Sequence, residues 1–192
     1  MSKKKEFSAG DYVVYPAHGV GKVEGLEEMS IGGDAVRLYR VSFEKDRMRL
    51  KVPVFKAEEL GLRRLSSKDR LKDALNTLQG RARVRRTMWS RRAAEYEAKI
   101  NSGDPVSIAE VLRDLKRGAL NDADQSYSER QIYQNALERL ARELAVVEKI
   151  EEQAAAARLE HFMHKENVEL AKVAGMKPAP APVTEEEEKE AA

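Results

Sequence analysis

The chain's single tryptophan, Trp89, stands inside its most basic stretch, Arg81-Ala82-Arg83-Val84-Arg85-Arg86-Thr87-Met88-Trp89-Ser90-Arg91-Arg92. Guanidiniums grip phosphate oxygens, and a flat indole stacks on bases or wedges between them. From Arg63 to Arg92 there are eleven Lys/Arg against two acids, Asp69 and Asp73, a local charge of +9 in a chain whose formal net charge is +2. An ordinary solvated helix face mixes signs, as residues 129–152 do, and this stretch does not. The chemistry implied is phosphate contact without base readout, because arginines on a loop and a helix start bring no groove-reading geometry of their own. Arg85, Arg86, Arg91 and Arg92 are the candidate phosphate ligands and Trp89 the candidate wedge. A plain packing role for Trp89 is equally open from the residues alone, since Trp89, Ala93, Tyr96 and Ile100 share one helical face.

Other chemistries find less support. Gly19-Val20-Gly21-Lys22 resembles the end of a phosphate loop, but Pro16 stands where the earlier glycine is required and Val23 where Ser or Thr would bind magnesium. His161 and His164 beside Glu160 are two histidines on a helix, more simply surface residues than metal ligands. His18 follows a proline turn and orders it. No nucleophile, base and orienting group come together, so neither an enzyme nor a cofactor or metal site is expected. With no cysteine there is no disulfide framework and no thiolate zinc site. Lys3, Lys4 and Lys5 begin like a signal peptide, yet Glu6, Ser8, Gly10 and Asp11 occupy the place of its apolar core. No stretch is long and apolar enough for a membrane span, and a cytoplasmic location is expected.

The elements that must position the basic stretch are legible on either side of it. Residues 11–65 alternate with period two, carry β-branched residues and are punctuated by glycine-rich turns. Strands are expected over Tyr12–Tyr15, Val20–Ile31, Val36–Phe43, Met48–Val52 and about Gly61–Leu65, with turns at Pro16, Gly32-Gly33-Asp34 and Glu44-Lys45-Asp46. Five short strands at this spacing suggest a small SH3-like or Tudor-like β-barrel. After Leu65 the period becomes helical. Ser66 with Asp69 reads as a cap for a helix bearing Leu71, Ala74, Leu75 and Leu78, which Gly80 ends. A second helix opens near Thr87 and runs to Ser102-Gly103. Asp104-Pro105 starts a third, with Ile108, Val111, Leu112 and Leu115 as its stripe, and Ser126-x-x-Glu129 caps a fourth carrying Tyr133, Leu137, Leu140, Leu144 and Val147. Beyond Ile150 the stripe thins through Ala154–Ala157 to Leu159, Phe162 and Met163, the pattern of a helix that outlives its packing partner and frays.

The expected fold is therefore multi-domain α+β: a small β-barrel over residues 1–66, an all-α domain over 67–175, and an acidic tail over 176–192. Pro178, Pro180 and Pro182 followed by Glu185 to Glu188 cannot build a core, so the tail is expected to be disordered. Its last residues, Ala191 and Ala192, look like the small apolar ends that ATP-driven proteases engage, although alanine is common enough here to end the chain by chance.

Five blocks, Val13-Val14-Tyr15-Pro16-Ala17-His18-Gly19-Val20-Gly21, Lys51-Val52-Pro53, Gly61-Leu62-Arg63, Trp89-Ser90-Arg91-Arg92 and Ile108-Ala109-Glu110-Val111-Leu112-Arg113-Asp114-Leu115, resemble in order and spacing the CarD/CdnL family of bacterial transcription regulators. The resemblance implies a Tudor-like module docking on the β subunit of RNA polymerase holoenzyme with its primary sigma factor, and a helical module reaching promoter DNA with little sequence specificity. It implies contacts at Val41, Lys51 and Pro53, to which Arg49 is added from its place on the same strand. Trp89 matches the family's tryptophan at the upstream edge of the transcription bubble, where it opposes reclosure and stabilises the open promoter complex. Lys51 departs from the Arg or Met of relatives, and Ala94 stands where some carry a lysine; Arg83, Arg85 and Arg86 are nearby cations. An RNA-binding or ribosome-associated module is the alternative, since small barrels joined to basic helices also occur on RNA.

Overall fold

The computed structural model describes residues 6–31, 34–83, 87–118 and 126–173. Five strands come first, β1 (Tyr12–Tyr15), β2 (Gly19–Ile31), β3 (Asp34–Phe43), β4 (Met48–Pro53) and β5 (Arg63–Arg64). Five helices follow, α1 (Lys68–Leu78), α2 (Trp89–Asn101), α3 (Pro105–Gly118), α4 (Tyr127–Glu148) and α5 (Glu152–Val173).

The strands form one antiparallel sheet in the order β4-β3-β2-β1-β5. Alternation sends Tyr39, Val41 and Phe43 of β3 to the same side as Val13, Val23 and Val52, and this set with Ala57 and Leu62 makes the first core. Gly21 is required beneath it, because a Cβ there would lie 2.7 Å from the Phe43 ring and 2.8 Å from Val41. A bulge between Val23 and Gly25 bends β2 and resets its register on β3. The barrel expected from the strand count is instead an open sheet. β5 has only two residues and pairs with β1 alone, while the turn after β4 carries the chain under the sheet, with Leu62 N–H donating to Ala57 O at 2.8 Å. Nothing pairs with the outer edge of β4 among the described residues.

The helices build a second core around Leu71, Leu78, Ile100, Ile108, Leu112, Leu140, Leu144 and Leu159. The cap of α1 is one residue later than the sequence suggests. Ser67 accepts from Arg70 N–H, while Ser66 donates its own N–H to Glu143 Oε1 at 2.9 Å. Ser126 and Glu129 form the reciprocal capping box expected for α4. The chain does not run on into a fraying extension of α4. Lys149 takes a left-handed conformation, φ 58°, and α5 folds back so that Ala155, Leu159 and Met163 are buried in the core. No glycine marks that turn, which is why the sequence hides it.

The two apolar cores are joined by polar contacts. Arg63, on β5, places both terminal nitrogens on the Glu143 carboxylate of α4 at 2.8 and 2.9 Å, and also donates to the Gly103 carbonyl between α2 and α3. Arg139 donates to the carbonyls of Pro16 and Ala17, and Lys45 pairs with Glu138. Glu143 is 3% exposed, and Arg63 and the Ser66 N–H together supply donors to both of its oxygens. Asp104 and Glu138 are partly buried, which by itself raises a carboxyl. Hydrogen bonds from Arg70 and Ser107 at Asp104, and from Lys45 and Gln134 at Glu138, hold both below ordinary values.

Removing one partner of a buried ion pair strands the other, so Arg63→Ala is expected to cost about 3 kcal/mol in urea unfolding. A loss below about 1 kcal/mol would mean that water replaces the guanidinium without penalty. Depressed carboxyls contribute stability above their unfolded pKa, about 4, and lose it as pH falls through the folded value. Thermal melts are thus expected to fall off below about pH 4, with Asp104→Asn showing a shallower decline.

Candidate nucleic-acid interface and docking edge

Trp89 is the first residue of α2 and Met88 its N-cap, with no side-chain hydrogen bond to the exposed N–H groups and no acid in the first turn. Helix starts ordinarily attract carboxylates, because the backbone dipole leaves them positive. Here Arg91 and Arg92 add charge of the same sign. A helix start with free N–H groups and added positive charge can hold an anion.

The indole is half-buried. Its ring centre lies 6.4 Å from that of Tyr96, tilted by 55°, and the Arg92 guanidinium sits 5.4 Å above it. Burial, and after it the Asp114 carboxylate, push the Tyr96 phenol up, so it stays neutral beneath the indole. One portion of Trp89 packs on the helical core and the rest reaches solvent. Arg92 is 24% exposed, 4.0 Å from Glu129, and its Nε has no hydrogen-bond partner among the described residues. It covers Trp89 rather than standing free. Arg91, Arg81 and Arg83 are exposed. Arg85 and Arg86 lie outside the described residues, as do Ala191 and Ala192.

The loop after α1 is held by a group that sequence reasoning passed over. Asp114, 5% exposed, accepts from Arg83 N–H at 2.9 Å and from the Arg113 guanidinium at 2.9 Å. It thereby fixes one end of the basic stretch against α3. Two exposed apolar side chains were also missed, Met88 at 78% and Tyr127, the first residue of α4, at 72%. Methionine where a helix favours Ser, Thr or Asp was the available signal for the first.

The second surface is the outer edge of β4. Arg49 and Lys51 lie on the sheet face away from the first core and lean inward across β3, Arg49 on Glu24 of β2 at 3.1 Å and Lys51 on Glu27 of β2 at 3.0 Å, while Arg40 also reaches Glu24 at 2.8 Å. Pro53 ends the strand half-buried. Val41, paired with Leu50, is fully buried and can shape this edge only from beneath. Phe55, directly after the strand and 71% exposed, adds an apolar contact the sequence reading did not include. His161 is exposed, and no metal-binding cluster occurs among the described residues. No helix there is long and apolar enough to cross a membrane.

Comparison with known proteins matches residues 7–66 to the CarD-like/TRCF RID domain and residues 73–160 to the CarD C-terminal domain. The chain is similar to the "Putative transcription factor YdeB" of Bacillus subtilis (strain 168), 31% identical over 146 residues, 76% of this chain and 95% of that protein. It is also similar to the solved structure "CdnLNt from Myxoccoccus xanthus", 32% identical over 35% of this chain and 96% of that one, with a TM-score of 0.29.

If Arg92 shields the indole, Arg92→Ala is expected to shift Trp89 emission to the red and increase its quenching by acrylamide. The cost in stability is expected to be within about 1 kcal/mol, the scale of one cation–π contact. Unchanged emission would mean that Tyr96 alone sets the environment of Trp89.

Proposed function

This chain belongs to the CarD/CdnL family of transcription factors, and we propose that it binds the β subunit of RNA polymerase through residues 1–66 and stabilises the open promoter complex through residues 67–175. Among the described residues no strand pairs with the outer edge of β4, and exposed Phe55 follows it, which suits strand addition to a polymerase strand. Arg49, Lys51 and Pro53 make the contacts in this reading, with Val41 as their support. The likeness of residues 7–66 to the RID domain favours polymerase as the partner.

The observation that carries the reading is the construction of the α2 start. A half-exposed indole at the positive end of a helix, beside exposed Arg91 and with Arg83 held by Asp114, can lean on an opened base step while arginines hold the flanking phosphates. Trp89 is the wedge; Arg91, with Arg85 and Arg86 of the same stretch, is the phosphate ligand; Arg92 orients the indole. Neither half has to bind tightly alone, because docking on polymerase raises the effective concentration of the DNA contacts. A wedge favouring the open state by about 1.4 kcal/mol raises the open-to-closed ratio about tenfold. Such a protein works in the bacterial cytoplasm, at the nucleoid, wherever polymerase sits on promoter DNA.

Trp89→Ala is expected to retain polymerase binding and to shorten promoter-complex lifetimes about tenfold, whereas Lys51→Glu is expected to lose polymerase association with the helices intact. Wild-type lifetimes for the first variant would remove the wedge, and retained binding to an isolated β-lobe fragment by the second would move the docking surface. Footprints of a promoter with and without the protein give the location. Pull-down of ribosomal material in place of polymerase would favour the RNA-binding alternative.

A further inference from the structure

Residues 174–192 carry five glutamates, Glu185 to Glu188 and Glu190, against two lysines, and the stretch 81–92 carries six arginines and no acid. Within that stretch Arg81, Arg83 and Arg91 are exposed and their guanidiniums pair with no carboxylate among the described residues. The path of α5 leads back along α4. Arg142 of α4 bonds Glu152 at 3.4 Å and Arg158 pairs with Glu148, so α5 begins beside the end of α4 and runs back along it. Its last turns therefore travel toward the start of α4, and that start is where Glu129 meets Arg92 and the α2 N-terminus. From Val173 to Glu185 is twelve residues, a contour of about 40 Å at about 3.3 Å per residue. The acidic run has ample length to reach the arginines.

We propose that the acidic run Glu185–Glu188 docks on the arginine surface around Arg81, Arg83 and Arg91 and occupies it in competition with nucleic-acid phosphate. The contact is between opposite charges on exposed side chains, strong at low ionic strength and screened by salt. Its regulatory meaning rests on the DNA-facing role proposed above; the contact itself does not. A tail occupying the surface about four-fifths of the time lowers apparent affinity for free duplex about fivefold. On polymerase, where the effective concentration of promoter DNA is high, the tail is displaced. Stray duplex is refused and docked promoter accepted.

The chain has one tryptophan and no cysteine, so Ala191→Cys labelled with an acceptor dye reports the distance from the tail to Trp89 in the full chain. Energy transfer is expected to be high at about 0.01 M salt and to fall by about 1 M, as the screening length shrinks from about 30 to about 3 Å. The Glu185→Gln, Glu186→Gln, Glu187→Gln, Glu188→Gln variant is expected to show low transfer throughout and to bind a short duplex about fivefold more tightly at low salt, converging with wild type at high salt. Transfer that ignores both salt and the four substitutions overturns the contact. Equal duplex affinity of the two proteins overturns the competition. If neither binds duplex at any salt, the DNA-facing reading fails while the energy transfer still decides the contact.

Discussion

A carboxylate almost wholly removed from water, Glu143, and the arginine that grips it from the sheet hold this molecule together as one object. Polar donors bridge the two apolar cores: Arg63 to Glu143 and Gly103, Ser66 to Glu143, Arg139 to Pro16 and Ala17. Such a joint is poor at adding stability, since desolvating both charges offsets most of their attraction. It is good at fixing geometry. Planar bidentate pairing allows one orientation of β5 over α4, where an oily interface would tolerate sliding.

The same logic recurs at the other end of the helices. Asp114 is buried and answered by Arg113 and by the backbone of Arg83, so Arg83 is held against α3. Arg92 lies on the indole and near Glu129, which ties the start of α2 to the start of α4. Charge that would repel is held in place by two carboxylates, while Arg81, Arg83 and Arg91 are exposed.

Local signals were legible wherever one residue type forces one local geometry. The alternation of Tyr39, Val41 and Phe43 gave β3, Pro105 after Asp104 gave α3, and Ser126 with Glu129 gave the α4 cap. The arginines and Trp89 announced themselves by composition. What stayed hidden depends on residues far apart in the chain. Glu143 reads as one more acid on a helix until Arg63, eighty residues earlier, is seen on it. Ser66 fits a cap motif, yet its Oγ accepts from Arg63 and its N–H donates to Glu143, and Ser67 caps α1 instead. The open sheet follows from a two-residue β5 that strand spacing cannot distinguish from a longer one. Lys149 closes a helix in a conformation usually left to glycine, so its turn leaves no mark in the sequence.

The long α4 has one further implication, for how such a chain can vary. Its Glu143 addresses the sheet and its Glu129 the start of α2, and the fourteen residues between them make about 3.9 turns, so both point to nearly the same side of the cylinder. Inserting or deleting a single residue between them would swing one about 100° away from its partner. Loops elsewhere can lengthen at small entropic cost, but this span is phased like a screw thread. Descendants of this sequence can redecorate α4 freely on its solvent side, yet can change its length only by whole turns.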